Sequence, residues 1–245
     1  MSCAERSSDC GGSANACQDY DPAVGPVTRY DRHVEWYESF RPSLSDDEAD
    51  ALRRMLGPGR GRCLDIGCGT GVAIPELTRL GWTVVGVDAS EEMLSRARTF
   101  GVELHRAPGE TLPFDDASFD AAVSIWTHTD VEDFRPIVDE AVRVLRPRAP
   151  FLYIGAHPCF VGPHSRFIAA EGVPTLHEGY RRTERYDGGP AIGPDGLRAR
   201  VGATHLPLGL FIQTFLDAGF QIEGFEELGA REYPHAVALG CRQST

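Results

Sequence analysis

The stretch Cys63-Leu64-Asp65-Ile66-Gly67-Cys68-Gly69-Thr70-Gly71 constrains this chain more than any other. A short apolar run passes through an acid, glycines follow at alternate positions, and helix-like sequence takes over. Alternate glycines let a chain leave a buried strand in a sharp turn while its backbone N–H groups stay open to a ligand. A dinucleotide-binding turn, G-x-G-x-x-G, is the neighbouring reading. Its third glycine would stand one residue later than it does here.

The surrounding pattern is strand, helix, strand. Arg62 to Ile66 reads as a first strand, Val72 to Leu80 as a helix, and Thr83 to Asp88 as a second strand, apolar enough to be buried on both faces. Asp88 closes it about 20 residues past the glycine turn, where nucleoside-binding folds place a ribose-binding acid. Ser90 to Phe100 is the next helix, Val102 to Arg106 a third strand, Ala121 to Trp126 a fourth, Val131 to Leu145 a helix and Phe151 to Gly155 a fifth strand. Leu206 to Ala218 then forms one more helix, and Phe220 to Leu228 and Ala236 to Cys241 form two closing strands. The alternation predicts an α/β, doubly wound parallel sheet. A hydride-transferring dehydrogenase is disfavoured by the glycine spacing and by the want of a second domain.

The D-x-G-x-G-x-G string resembles motif I of the class I S-adenosylmethionine-dependent methyltransferases. A second string, Leu112-Pro113-Phe114 followed by Ser118-Phe119-Asp120, resembles the adenine-side loop and fourth strand of the same family. The likeness is to small-molecule members such as the ubiquinone and menaquinone methyltransferases. It implies a Rossmann-like, seven-stranded sheet ending in an antiparallel hairpin, with S-adenosyl-L-methionine as cofactor. Carried over position by position, it puts the methionine side of the cofactor at Asp65, Gly67, Cys68, Gly69 and Gly71. Asp88 and Ala89, with Met93, fall on the ribose side, and Gly109, Glu110, Thr111 and Leu112 on the adenine side. The family's G-D-A-E is here Ala107-Pro108-Gly109-Glu110, so Pro108 removes both the acid and its backbone donor.

Outside that core, residues 1–26 carry almost no large apolar side chain and read as a disordered tail. Residues 27–56 hold a lid helix and a packing helix. Tyr30 and Tyr37, within a Y-D-x-x-x-x-x-Y pattern like that of the family's N-terminal helix, are the lid contacts to the cofactor. Ser45 with Glu48 three residues on is a capping box, and Gly57-Pro58-Gly59 stops that helix. It is expected beside the first strand, without a part in the chemistry. Residues 57–155 form the cofactor-binding core and 206–245 its closing helix and hairpin. Residues 156–205 are an insert between the fifth strand and the last helix, read as a substrate cap, with extended segments at 183–186 and 197–201.

The formal charge of −12 disfavours nucleic acid as a partner. No apolar run can span a bilayer and no secretory signal is found, so the expected place is the cytoplasm. All 24 basic residues are Arg, which excludes lysine chemistry. Seven cysteines form neither a disulfide framework nor a zinc spacing, and the thiol cluster of an arsenic methyltransferase is not evident. The partner is then a small molecule, and a homodimer is compatible. Methyl transfer to an acidic nucleophile calls for a base: His128 after the fourth strand is the first candidate, His157 after the fifth the second. Trp126, His164 and His205 are the substrate-side candidates, and no metal is expected. A protein of the same fold that binds the sulfonium without methylating, such as a cyclase or regulatory subunit, is the alternative.

Overall fold

The structure, a computed structural model, describes residues 28–167, 173–189, 192 and 196–244. The expected tail at 1–26, with Cys3, Cys10 and Cys17, lies outside the described residues. In chain order the elements begin with α1 (Val34–Phe40), α2 (Asp46–Met55), β1 (Arg62–Ile66), α3 (Ile74–Arg79), β2 (Thr83–Asp88), α4 (Glu91–Ala97), β3 (Glu103–Arg106) and β4 (Ala121–Ile125). They continue with α5 (Arg135–Val144), β5 (Pro150–Ala156), β6 (Ser165–Phe167), β7 (Pro174–Leu176), β8 (Arg185–Tyr186), α6 (Leu197–Val201) and β9 (Ala203–Thr204). The chain closes with α7 (Leu208–Asp217), β10 (Phe220–Leu228) and β11 (Ala236–Gln243).

Seven strands form one sheet in the order β10-β11-β5-β4-β1-β2-β3. From β5 to β3 neighbouring strands run parallel, and β11 lies antiparallel to both β5 and β10. This is the α/β sheet that the alternation predicts, with the closing antiparallel hairpin that the resemblance implies. The chain leaves β1 to build β2 and β3 on one side and returns to place β4 on the other. The order therefore reverses between β1 and β4, and the crevice at their carboxyl ends is where such sheets hold ligands.

The period of two along each strand divides the core. Leu64, Ile66, Val85 and Val87 face one cluster with Ile137, Val138, Phe211 and Phe215 of α5 and α7. Cys63, Val84, Ala121 and Val123 face the other, with Ala51, Leu52, Ile74 and Leu77 of α2 and α3. Helices thus cover both faces. Among the described residues no helix is long and apolar enough to cross a membrane.

Several expectations need correction. The capping box at Ser45 and Glu48 forms, yet α2 lies mainly against β5, β10 and β11 rather than beside β1. Helices α3 and α5 start later than their apolar patterns, because Pro75 and Pro136 stand in their first turns, where proline costs no hydrogen bond. The segment 197–201, expected to be extended, is the helix α6; Gly196 and Gly202 bound it. The segment 183–186 does contain a strand, β8, paired with β9.

Candidate functional site

The glycine turn after β1 is built as its sequence requires. Gly67, Gly69 and Gly71 have φ of 73°, 54° and 87°, in the left-handed region that side chains disfavour. A Cβ at Gly67 would run into the Thr127 methyl, whereas at Gly69 nothing lies within 4 Å. The turn is thus tight against the end of β4 and open on its other side.

Asp88, at the carboxyl end of β2, accepts from the Gly69 N–H at 2.8 Å through one oxygen and from the Ser90 N–H at 2.8 Å through the other. Burial pushes its carboxyl up to about 6, against the pull of those two donors. An ionised carboxylate has about four acceptor positions, so a diol can still be held. Asp65, lower in β1, is fully enclosed. One of its oxygens has no partner, and burial, with the Asp88 charge nearby, raises it to about 7.

The turn at Thr28–His33 closes over this end of the sheet. Asp31 accepts from Thr28 N–H at 2.6 Å and from Ser90 Oγ at 2.5 Å, so the N-terminal segment is fastened to the cap of α4. Helix α1 follows, and the Tyr30 and Tyr37 rings meet edge to face with centroids 5.5 Å apart.

Two cavities adjoin here. The inner one, about 350 Å³, is lined by Gly67, Gly69, Asp88, Ala89, Met93, Gly109 and Glu110. Ser90, Pro108, Ile125 and Ile137 complete that end. The outer one, about 590 Å³, lies among α1, the start of α2 and α6, with Arg41, Leu44, Glu48, Val161, Leu197, Arg198 and His235 on its walls. Tyr30, Tyr37, Trp126 and Asp130 line both. Both volumes are within the range of small-molecule sites, roughly 300–1,000 Å³.

Trp126 divides the two. Its backbone has φ of 65°, unusual for a bulky residue. Its indole N–H donates to Glu48 Oε1 at 2.6 Å, the Arg41 guanidinium lies 5.1 Å from its ring centroid, and His235 stacks on it at 6.5 Å. Glu48, 2% exposed, also accepts from Ser45 N–H at 2.8 Å and from Arg41 Nη2 at 2.9 and 3.0 Å. These donors outweigh its burial and hold its carboxyl below the usual carboxylate range. The helix-capping residue is therefore also a cavity wall. Asp130 pairs with Arg198 Nη1 at 2.9 Å, and burial raises its carboxyl. From the same helix Arg200 lies over Trp36, 4.9 Å from the ring centroid, joining α6 to α1.

The expected site residues divide sharply. Tyr30, Tyr37, Gly67, Gly69, Asp88, Ala89, Met93, Gly109, Glu110 and Trp126 come together on the cavities. Asp65, Cys68 and Gly71 stand behind the glycine turn, outside that lining. Leu112 faces the core, its N–H donating to Glu140 Oε2 at 2.7 Å, and Thr111 is exposed, its N–H on Pro108 O. Ile137 and Met93, and not Leu112, are apolar residues on the inner cavity wall.

The four histidines do not reach the cavities. His128 is enclosed by Phe134, Tyr153 and Phe211, with Nδ1 on the Tyr153 hydroxyl, and burial drives its imidazole down to about 3. His157 spends both ring nitrogens, Nε2 on Glu227 at 2.8 Å and Nδ1 accepting from Cys159 N–H at 3.1 Å. His164 and His205 lie together inside the insert, ring centroids 4.7 Å apart, bound to the Cys159 and Tyr180 carbonyls. Burial pushes His205 down to about 4. A position after a strand end does not say whether a side chain turns toward the crevice or the core, and the aromatic neighbours decide here for the core.

Conversely, Arg41, Glu48 and Arg198 carried no local signal as site residues, and Asp130 was visible only as an acid after β4. Cys63, Cys68, Cys159 and Cys241 are free. Among the described residues no group of His, Cys, Asp and Glu could hold a metal.

Comparison with known proteins agrees with this geometry. Residues 64–153 match the model of a methyltransferase domain. The demethylmenaquinone methyltransferase of Tropheryma whipplei (strain Twist) is 33% identical over 133 residues, 51% of this chain and 56% of the relative. That of Corynebacterium efficiens is 37% identical over 140 residues, 55% of this chain and 60% of the relative. The chain thus spans less than two thirds of the curated relatives it matches. A solved S-adenosylmethionine-dependent methyltransferase from Mesorhizobium loti superposes with a TM-score of 0.65 at 28% identity, covering 79% of this chain and 96% of that one.

Proposed function

Residues 64–153 are a class I S-adenosylmethionine-dependent methyltransferase domain, and on that premise we propose that the protein methylates an oxygen or nitrogen of a small, uncharged, aromatic molecule. S-Adenosyl-L-methionine is the cofactor of such a domain, and the residues present fit it. The empty space beside Gly69 suits its aminoacyl end, the Asp88 carboxylate its ribose diol, and Met93, Gly109 and Ile137 its base. When bound, it supplies an electrophilic methyl on a sulfonium.

The observation that carries the reading is the shared wall. Tyr30, Tyr37, Trp126 and Asp130 belong to both cavities, so a molecule in the outer one meets the inner one at a single place. Alignment of nucleophile and methyl can supply most of the rate, and closed walls favour loss of charge in the transition state. The charged walls of the outer cavity are paired, Arg41 with Glu48 and Arg198 with Asp130. Among the described lining residues His235 is the one imidazole, and burial lowers it. Such a cavity favours a neutral ligand that stacks on Trp126 and Tyr37 over a phosphorylated or quaternary one. A secondary metabolite handled in the cytoplasm suits these features, and the acidic balance of the chain argues against nucleic acid.

The test is incubation with methyl-labelled S-adenosylmethionine and a set of hydroxylated and amino-substituted arenes. A product one methyl heavier, with matching S-adenosylhomocysteine, is expected. Tight binding of NADH with the sulfonium ignored, or sulfonium bound and never consumed, would overturn the reading.

A further inference from the structure

The four residues common to both cavities include three titratable groups. Tyr30 and Tyr37 are phenols that burial pushes upward, Tyr37 to about 12, so they stay protonated and are not bases at working pH. Asp130 remains. Its side chain is 27% exposed, at the place where the two cavities meet. Of the other carboxylates on the cavity walls, Glu48 is committed to Arg41, Ser45 and Trp126 and Asp88 to the glycine turn, while Glu110 lines the inner cavity alone, off the wall the two share.

We propose that Asp130 is the proton acceptor of the reaction, and that the group methylated is therefore a hydroxyl on an uncharged arene. This rests on the methyltransferase reading above and narrows it. A neutral amine has its lone pair ready and needs no base, whereas a phenolic hydroxyl, with pKa about 10, does. The step balances simply. The hydroxyl proton passes to an Asp130 carboxylate oxygen, the acceptor oxygen forms the new C–O bond, and the C–S bond breaks with its electron pair going to sulfur. The charge lost by the sulfonium is matched by the charge lost from the carboxylate.

The surroundings of Asp130 suit that task. Arg198 from α6 holds one oxygen, and the Tyr30 hydroxyl donates to the carboxylate from the N-terminal segment. Tyr37 from α1, Asp88 from β2, Tyr153 from β5 and Tyr186 from β8 also act on it electrostatically. Burial leads, so the carboxyl stands above its ordinary value. A base raised toward working pH is a better base.

Asp130→Asn keeps the shape and removes the basic oxygen. Turnover is measured with an unsubstituted hydroxyarene and with its dinitro-substituted analogue, whose hydroxyl is already ionised at neutral pH. With the first, kcat should fall roughly 100-fold or more, in the range of a lost general base. With the second it should change only a few-fold, and the dissociation constant for S-adenosylmethionine should hold. Asp130→Glu should recover part of the rate. The wild-type rate should rise with pH through an acid limb above the ordinary carboxylate range, with the unsubstituted arene only; this decides the matter should Asp130→Asn fail to fold. Equal losses on both arenes, or none, would overturn the role of Asp130 and leave the methyltransferase reading standing. Turnover of aminoarenes alone would overturn the hydroxyl assignment. A wild-type protein that binds the sulfonium and methylates nothing would overturn both readings.

Discussion

The Asp88 carboxylate and the Gly69 N–H meet at 2.8 Å, tying the end of the second strand to the middle of the glycine turn. The two halves of the proposed nucleoside site are therefore one mechanical unit. Asp88→Ala should weaken S-adenosylmethionine binding by roughly 10- to 100-fold, since bonds to a charged group contribute about 1.5–3 kcal/mol each. Calorimetry reads this directly. The carboxylate accepts only when ionised, and its folded value is about 6. Affinity in the wild type should thus drop as pH falls through that value, and the drop should be absent in Asp88→Ala.

Glu48 and Trp126 form the second such tie, at 2.6 Å. Removing the carboxylate leaves the Arg41 guanidinium and the indole N–H facing an apolar space. Glu48→Ala should therefore lower stability by about 3–5 kcal/mol, the usual effect of breaking a buried pair from one side. Denaturant unfolding measures it, and Trp126 fluorescence should shift because its wall has moved. A loss within 1 kcal/mol would mean the pair is solvated.

His128 sits where a base was expected but is ringed by Phe134, Tyr153 and Phe211. His128→Phe should cost about 1–3 kcal/mol, through the Tyr153 hydroxyl left unpartnered. Turnover at 25 °C should stay within a few-fold of the parent. A fall of 100-fold would restore the imidazole to the chemistry.

Asp65 gives a pH dependence of stability whose sign is opposite to that of a salt-bridged carboxylate. Its folded value is raised to about 7, while in the unfolded chain it ionises at about 4. Between these values the folded state keeps a proton that the unfolded state has lost, so stability falls as pH rises. Asp65→Asn removes that slope. Its melting temperature relative to the parent should climb between about pH 4 and 7 and level off above.

How far the sequence speaks depends on whether a signal is local. Gly67, Gly69 and Gly71 announce their turn because only glycine tolerates it, and the alternation of strands fixes the sheet because each buried strand must be apolar on both faces. Asp88 follows from spacing along one chain segment. The outer cavity does not read this way. Glu48 looks like a capping residue and is one; its contact with Trp126 joins positions 78 residues apart. Arg198 meets Asp130 across 68 residues. The helix α6 hides in an insert whose arginines look extended. Such meetings arise from tertiary packing, and no window of sequence contains them.

Trp126 is the residue on which substrate choice should turn. Glycine would adopt its backbone without strain, so ease of folding argues against an indole there. Keeping one costs on the order of 1–3 kcal/mol, offset by the Glu48 bond and the Arg41 contact. A variant with glycine at this position would relax and, in the same stroke, merge two rooms into one. Tolerance for bulkier guests and loss of discrimination should then arrive together, which makes this single backbone torsion the natural handle for redirecting the proposed methyl transfer.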